Sequence, residues 1–579
     1  MAKRIPIGVD DFSELVSEQQ NFLFVDKTLM IKELIDRGTK VSLIIRPRRW
    51  GKTLNMSMLR YFFSSQVNGY ATHGIFDRLK IAGQDQGSYI AKYQGKNPVV
   101  FISFKNIKQS SWVLFLSKFS DLAASIYREF SRILLESDKL SDNQKNTFQM
   151  ILDRAADQSQ LENSLKFLSE CLYAHYGQKV IILIDEYDTP LNAAYGQDYF
   201  EAMVDFFKSL LGAALKGNDA LEKGLMTGIL RLSKNKMLSD INNLALYSLM
   251  EKQYSTHFGF SEEELEGLFL GQTFPIDREA VRRWYNGYRS GEAESIYNPW
   301  SILCFIQSEG ALKAYWIKTG DEDLLKKVFL ESGIETKEKL DILMRGGVID
   351  SVIDDYISFD QIKDNNDHVI WSLLWALGYL KTTGEGQAVG SRYRYKLLIP
   401  NHEIDCSYRD VFQSFVESLK NDDQRKYHYF LKDLVQGNVE AFVKELQSFL
   451  LSAASYYDFE RESNYHTFLL GLISSLRDTH RLLSNQESGD GRPDLVLIPM
   501  NASNSLAIIF ELKRAESGQD PVIYEQLAID AMAQINQKNY DALLKTIPTL
   551  KQVLKICLVF YGKHFVYKAV KEDLNCLLE

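Results

Sequence analysis

The chain has 579 residues, 45% hydrophobic and 25% charged, with a formal net charge of −9 at pH 7. These values exclude a disordered or polycationic chain, and the length allows roughly three or four domains of about 150 residues each. The five cysteines stand far apart with no Cys-x-x-Cys pair, which disfavours a zinc site or a disulfide framework and fits a reducing, cytoplasmic setting. No apolar run of about 18 residues occurs and the N-terminus lacks the apolar stretch of a signal peptide, so no membrane segment is expected.

In chain order, Val41–Ile45, Val99–Phe104, Val180–Asp185 and Gly224–Ile229 read as strands, with helices between them such as Leu54–Phe63 and Trp112–Leu135. Apolar strands alternating with helices predict a buried parallel sheet covered on both faces. From position 290 to 410 the pattern turns mostly helical and irregular, punctuated by Pro299 and Pro400. Tyr427–Leu434 and Val439–Ala453 are the clearest parts of a helical stretch that leads into a C-terminal α/β module.

Directly after the first strand stands Arg46-Pro47-Arg48-Arg49-Trp50-Gly51-Lys52-Thr53, followed by a helix. This is the second half of a P-loop. Gly51 lets the backbone approach phosphate, Lys52 reaches the β- and γ-phosphates, and Thr53 is placed to ligate Mg2+. The helix N-terminus adds its dipole and free amides. The first glycine of the pattern is replaced by Arg46, a residue that enters left-handed backbone only at a cost, so the start of the loop is expected to differ from a standard one. The third strand ends in Asp185-Glu186. Asp185 would hold Mg2+ through water or Thr53, and Glu186 would orient or activate the attacking water. The two motifs are expected on adjacent strands of one domain. Thr227 near the end of the fourth strand is a candidate γ-phosphate sensor, and Arg231 could act in cis or on a neighbouring copy; packing is an equal reading for both.

Near the C-terminus, Asp494-Leu495-Val496-Leu497-Ile498-Pro499 and Leu506-Ala507-Ile508-Ile509-Phe510-Glu511-Leu512-Lys513 are two apolar runs joined by Asn501-Ala502-Ser503-Asn504. They read as a hairpin. Residues two apart on a strand share a face, so Glu511 and Lys513 point the same way. Two carboxylates on neighbouring strands suit a hard cation, and a lysine beside them can hold a phosphate oxygen. The alternative is an alternating strand with charges at a hairpin rim. A last strand is expected at Ile556–Tyr561.

Ile5-Pro6-Ile7-Gly8-Val9-Asp10-Asp11-Phe12, Phe24-Val25-Asp26-Lys27-Thr28, the Arg46–Thr53 loop, Trp284-Tyr285-Asn286-Gly287-Tyr288, Tyr297-Asn298-Pro299-Trp300-Ser301 and Ile399-Pro400-Asn401 give the chain a further meaning. With the C-terminal hairpin, they resemble the bacterial AAA-ATPase-like proteins fused to a PD-(D/E)XK nuclease domain. The resemblance implies an α/β fold in three parts: an AAA-like P-loop ATPase over 1–290, a helical connector over 291–410, and a helical lead-in with a restriction-endonuclease-like domain over 411–579. It implies that Arg46 is the family's own form of the loop, with Arg49 and Trp50 part of the nucleotide site. Asp26 and Lys27 become weak candidates for the nucleotide pocket.

The resemblance also directs attention to a third acid on the helix before the hairpin. Glu462 opens a helix whose Tyr465, Phe468, Leu469, Leu472, Ile473 and Leu476 form one apolar stripe. It would join Asp494 and Glu511 as a metal ligand, or else cap the helix. His466 is a core histidine or a phosphate contact. Gln534 and Tyr540 resemble a helix motif that follows the lysine in related nucleases and would orient Lys513 or DNA, with packing as the alternative. Arg492 and Arg514 flank the strands and would add positive field.

The expected cofactors are ATP and Mg2+, with Mn2+ as an alternative at the nuclease site. The expected partner is nucleic acid, DNA before RNA, bound through local basic patches because the whole chain is acidic. The expected function is ATP-gated phosphodiester hydrolysis. The alternatives are a switch ATPase whose nuclease-like domain only binds nucleic acid or protein, and an assembly protein that forms ATP-dependent homo-oligomers.

Overall fold

The computed structural model describes residues 3–230, 241–316, 325, 334–344, 346–354, 367–390, 392–418, 424–453, 462–484, 492–501, 504–516, 518–538, 540, 542–545 and 547–574. The chain forms two compact units, Met1–Gly320 with Asp350–Ile404, and Asp321–Ile349 with Asp405–Glu579.

The first unit is built on five strands: β1 (Val41–Ile45), β2 (Val99–Ser103), β3 (Val180–Asp185), β4 (Leu221–Gly228) and β5 (Leu244–Tyr247). Their order is β2-β3-β4-β1-β5 and every neighbouring pair is parallel. All residues of β1 and β3 are buried, as their unbroken apolar runs require for strands covered on both faces. The sequence expectation that the loop strand and the acidic strand are neighbours is corrected, because β4 lies between them. Periodicity fixes each strand but not which strand inserts between two others.

The covering helices include α1 (Lys52–Phe63), α2 (Trp112–Leu135), α3 (Ser164–Tyr176) and α4 (Phe200–Leu215). Ser111 caps α2 by accepting the Leu114 amide. Phe115 and Phe119 of α2 pack edge-on against Phe206 of α4, at centroid distances of 5.2 and 4.9 Å, and Phe104 at the end of β2 meets Phe207 at 5.1 Å. These contacts lock two helices to one sheet face. The register pairs Ile45 with Gly228, Ile184 with Met226 and Ser103 with Asp185, so the carboxyl ends of four strands share one sheet edge. Open α/β sheets bind ligands at that edge.

The helical middle of the chain also carries two hairpins, Tyr288–Ser290 with Ala293–Tyr297, and Lys381–Val389 with Arg392–Leu398. A helix over Pro299–Gln307 starts at Asn298, whose side chain accepts the Trp300 amide, with proline in the first turn.

The second unit holds a mixed sheet of β6 (His480–Ser484), β7 (Leu495–Pro499), β8 (Leu506–Arg514), β9 (Gln552–Tyr561) and β10 (His564–Asp573), in that order. β7 and β8 form the expected antiparallel hairpin. β8 and β9 are parallel and joined through α6 (Pro521–Gln537), while α5 (Glu462–Ile473) precedes the sheet. The stripe on and after α5 is buried as its spacing predicts: Tyr465, Phe468, Leu469, Leu472, Ile473 and Leu476 are all core residues. The strand expected at Ile556–Tyr561 is longer, and β10 follows it. No described helix is long and apolar enough to cross a membrane.

Candidate functional site

In the first unit, the loop after β1 runs over residues 46–51 into α1 at the carboxyl edge of the sheet. Gly51 is the N-cap of α1, with φ 81° and no side-chain cap bond. A residue with a Cβ would be strained in that left-handed conformation. Because no side chain covers the helix start, its amides can face an anionic ligand.

Arg46 does not take the left-handed geometry anticipated for the first-glycine position, which corrects the sequence reading. The strained residue is Arg49, at φ 65°. Arg46 continues the strand, its amide donating to the Gly228 carbonyl at 3.1 Å. Its side chain is fully buried, and the guanidinium donates to the carbonyls of Ile45, Tyr247 and Tyr254 at 2.7, 3.0 and 3.1 Å, and to Gln253 at 3.5 Å. It also lies 5.2 Å from the Phe258 ring centroid. Burial pushes its pKa down to about 9, so it remains a cation at neutral pH. Arg46 therefore clamps the end of β1 to β5 and the segment after it.

Lys52 is 5% exposed, and its ammonium donates to the carbonyls of Arg46 at 3.1 Å and Pro47 at 2.9 Å. Burial lowers its pKa, while Glu186, Asp188 and Asp185 oppose that shift. Asp185 is fully buried and receives three hydroxyls from three elements: Thr53 of α1 at 2.8 Å, Ser103 of β2 at 3.1 Å and Thr227 of β4 at 2.7 Å. Glu186 sits in left-handed backbone at φ 52°, and Thr189 donates to its carboxylate at 3.2 Å. Such strain costs about 1–3 kcal/mol and concentrates at functional positions.

Sequence reasoning missed Ser103 and Asp188. The buried Asp188 carboxylate accepts the amides of Ile229 at 2.8 Å and Leu230 at 3.0 Å. Burial raises its pKa against those amides and Lys52. Gly228 has no room for a side chain, because a Cβ there would stand 2.7 Å from the Tyr187 ring. The loop after β3 is thus fastened to the end of β4. The Asp-Glu-Tyr-Asp run was the available signal, but only tertiary pairing shows what its second Asp holds.

The Arg49 guanidinium stacks 4.2 Å from the Trp300 ring, and Asn298 donates to the Arg48 carbonyl at 3.3 Å. Trp50 is buried edge-on to Tyr288 at 5.4 Å. Asp26 caps its own turn through Thr28 and accepts the Lys80 amide at 2.7 Å. Lys27 pairs with Glu264 at 2.6 Å and donates to the Thr256 carbonyl. Those partners give both residues a structural task. Arg231 lies outside the described residues.

In the second unit, Leu495 pairs with Phe510, which sets Asp494 beside the end of β8. The Asp494 carboxylate accepts the Leu512 amide at 2.7 Å. Glu511 is 2% exposed. Its Oε1 accepts the Lys513 ammonium at 2.8 Å and the Gln534 amide at 2.6 Å. The Gln534 amide also donates to the Tyr540 hydroxyl at 3.1 Å, and Tyr540 is buried. Gln534 therefore holds Glu511 and is itself backed by Tyr540, whereas the sequence expectation is orientation of Lys513 or DNA, or packing. Burial, and then the charge of Asp494, raise the Glu511 pKa to about 7 against the pull of Lys513.

His466 is buried, with Nε2 3.1 Å from the Asp494 carbonyl and 3.3 Å from the Ser484 hydroxyl. The carbonyl is a pure acceptor, so Nε2 carries the proton there. This ring braces the strand that bears Asp494. Glu462 opens α5 as expected, but its side chain lies outside the described residues. Arg492 and Arg514 are exposed at the ends of the hairpin.

A divalent cation fits this second site on one structural ground. Glu511 Oε2 is buried without a hydrogen-bond partner among the described residues, an arrangement costly for a carboxylate oxygen. Asp494 and Glu511 are the described residues that could hold the ion, with Glu462 as the third candidate. Among the described residues no cluster of three His, Cys, Asp or Glu side chains is already gathered. In the first unit, Thr53 and Asp185 could hold a cation, and the α1 amides with Lys52 a phosphate chain.

Residues 6–238 match the family described as Predicted AAA-ATPase, and residues 460–570 match the PD-(D/E)XK nuclease superfamily. An uncharacterized protein in the vnfD 5′ region of Azotobacter chroococcum mcd 1 is 27% identical over 415 residues, covering 71% of this chain and 70% of that protein. The chain thus carries an AAA-ATPase-like domain at its N-terminus and a PD-(D/E)XK nuclease superfamily domain at its C-terminus.

Proposed function

We propose that the protein binds and hydrolyses ATP in its first unit and cleaves phosphodiester bonds in nucleic acid, DNA before RNA, with its C-terminal domain, under nucleotide control. We assign the ATPase to 1–290, the connector to 291–410 and the nuclease with its helical lead-in to 411–579. The observation that carries the reading is Glu511. It is a buried carboxylate with one oxygen held by Lys513 and Gln534, the other unsatisfied, and Asp494 beside it.

At the nuclease site a divalent cation on Asp494 and Glu511 would neutralise charge and acidify bound water. Lys513 is partly exposed and is placed to hold a phosphate oxygen as charge develops. Gln534 and Tyr540 fix the rotamer of Glu511, and His466 fixes the backbone of Asp494. At the ATP site the α1 amides and Lys52 bind phosphates, Thr53 and Asp185 keep the cation position, and Glu186 orients water.

The test is a nuclease assay crossing Mg2+, Mn2+ and ATP with the wild type, Lys52→Ala and Lys513→Ala. Metal-dependent cleavage lost in Lys513→Ala, with ATP dependence lost in Lys52→Ala, supports the reading. Intact DNA and RNA under every condition overturns it. The second reading, a switch ATPase whose C-terminal domain only binds, is favoured by the Glu511–Lys513 ion pair, which partly satisfies the carboxylate from within the chain. It predicts that Glu511→Ala leaves biological activity unchanged while Lys52→Ala abolishes it.

A further inference from the structure

Arg49 stands in the loop after β1 at φ 65°, a conformation that glycine adopts without cost. Gly51 is left-handed too, and Trp50 between them is not. Alternation of this kind turns successive backbone amides toward one anion-binding concavity. The loop carbonyls are taken up elsewhere. Lys52 donates to those of Arg46 and Pro47, and the Gly259 amide to that of Trp50 at 3.4 Å. Asn298 and the Trp316 indole donate to the Arg48 carbonyl, at 3.3 and 3.5 Å. The amides of Arg49, Trp50 and Gly51 have no acceptor among the described residues.

This concavity explains why position 49 is left-handed, but not why it holds an arginine. Glycine would relieve the strain. The Arg49 side chain is exposed and makes no ion pair or hydrogen bond among the described residues. Its contact is the Trp300 ring, 4.2 Å from the guanidinium carbon. An exposed cation–π contact does no more than match the strain that it has to offset. The balance calls for a further partner, and an anion in the adjoining concavity is one.

Trp300 is itself fixed. Its amide donates to the Asn298 side chain at 2.9 Å, and its Nε1 donates to the Tyr315 carbonyl at 3.3 Å. Asn298 therefore ties the residue before Arg49 to the residue under the Arg49 guanidinium. We propose that Arg49 contacts the phosphate chain of a bound nucleoside triphosphate, and that Trp300 is the positioning residue that holds its guanidinium at the loop. A guanidinium can stack on an indole with its face while its N–H edge donates to phosphate oxygens. Holding it in advance reduces the rotamer freedom lost on binding. The proposal deepens the ATP-binding reading above and rests on it.

Binding of ATP to the full chain is measured by equilibrium dialysis over a salt series, with Lys52→Ala as the control for the loop. Arg49→Gln keeps the strained backbone and removes the charge. Its ATP affinity is expected to fall about tenfold or more, with a flatter salt dependence. Arg49→Gly removes the charge and also the strain, so its affinity should fall as far while its melting temperature is no lower than the parent's. Trp300→Leu should weaken ATP binding by about two- to fivefold and Trp300→Phe by less, because an aromatic face is kept. Combined with Arg49→Gln, Trp300→Leu should cost nothing more, as expected of residues acting through one contact. The proposal is overturned if Arg49→Gln keeps the parental affinity and salt dependence, if Arg49→Gly lowers the melting temperature, or if the losses from Arg49→Gln and Trp300→Leu add in full. A parent chain that binds no ATP overturns this proposal and the ATP-binding reading together. Binding that is lost in Lys52→Ala and intact in Arg49→Gln sinks this proposal alone.

Discussion

The hydroxyl of Thr227 donates to Asp185 across 2.7 Å, reaching from the strand that separates the P-loop strand from the acidic strand. β4 thereby helps to hold the acid that also accepts the Thr53 hydroxyl. Thr227→Val keeps the shape and removes the donor, leaving a buried carboxylate oxygen short of a partner. The expected result is a stability loss of about 1–3 kcal/mol, with ATP turnover falling more than ATP affinity. Chemical denaturation and steady-state phosphate release check this, and an unchanged turnover would remove Thr227 from the site.

Arg46→Gly restores the more usual residue of a phosphate-binding loop and is expected to harm the protein. Carbonyls that now accept the guanidinium would be buried without a donor, each worth roughly 1–3 kcal/mol. The melting temperature should drop and binding of a fluorescent ATP analogue should weaken. A variant as stable as the parent would show that the clamp carries no weight.

Glu511 makes the metal-free protein sensitive to pH. Its pKa is about 7 when folded, against 4.5 for an ordinary glutamate. A carboxyl raised on folding binds its proton more tightly in the native state. Its stabilising contribution is therefore full below pH 4.5 and is lost as pH rises through 7. In EDTA, the wild type should lose melting temperature between acid and neutral pH more steeply than Glu511→Gln. Parallel curves for the two proteins would contradict the assignment. Because protons compete with a cation for the same oxygens, Mg2+ affinity should rise over the same interval.

Gln534→Ala should reduce cleavage by about 10–100-fold, as loss of a group that orients a ligand does. Tyr540→Phe removes only the oxygen behind Gln534 and should cost less. The measurement is single-turnover cleavage over a Mg2+ titration. Equal loss at saturating and limiting metal would place Gln534 outside the metal-binding role.

Much of this was legible in the chain because it is local. Unbroken apolar runs gave β1 and β3, the glycine before Lys52 gave the loop, and the stripe from Tyr465 to Leu476 gave the buried face of α5. What was not legible depends on residues far apart in sequence. Nothing near Asp185 shows that β4 inserts beside it, because parallel strand order is set by crossovers and not by periodicity. The task of Asp188 shows only when its partners at 229 and 230 stand beside it. The missing first glycine predicts strain at Arg46, and the strain sits at Arg49. The carbonyl cage that explains Arg46 lies some two hundred positions downstream.

That cage constrains how such a loop can arise or decay. An arginine without the cage would be a buried cation lacking acceptors, and the cage without the arginine would be a set of buried acceptors lacking a donor. Neither intermediate is a neutral step. The loop and the segment from Tyr247 to Tyr254 are therefore inherited, exchanged or lost together, and a chimaera that swaps one without the other should fail to fold even where every phosphate-binding residue is kept.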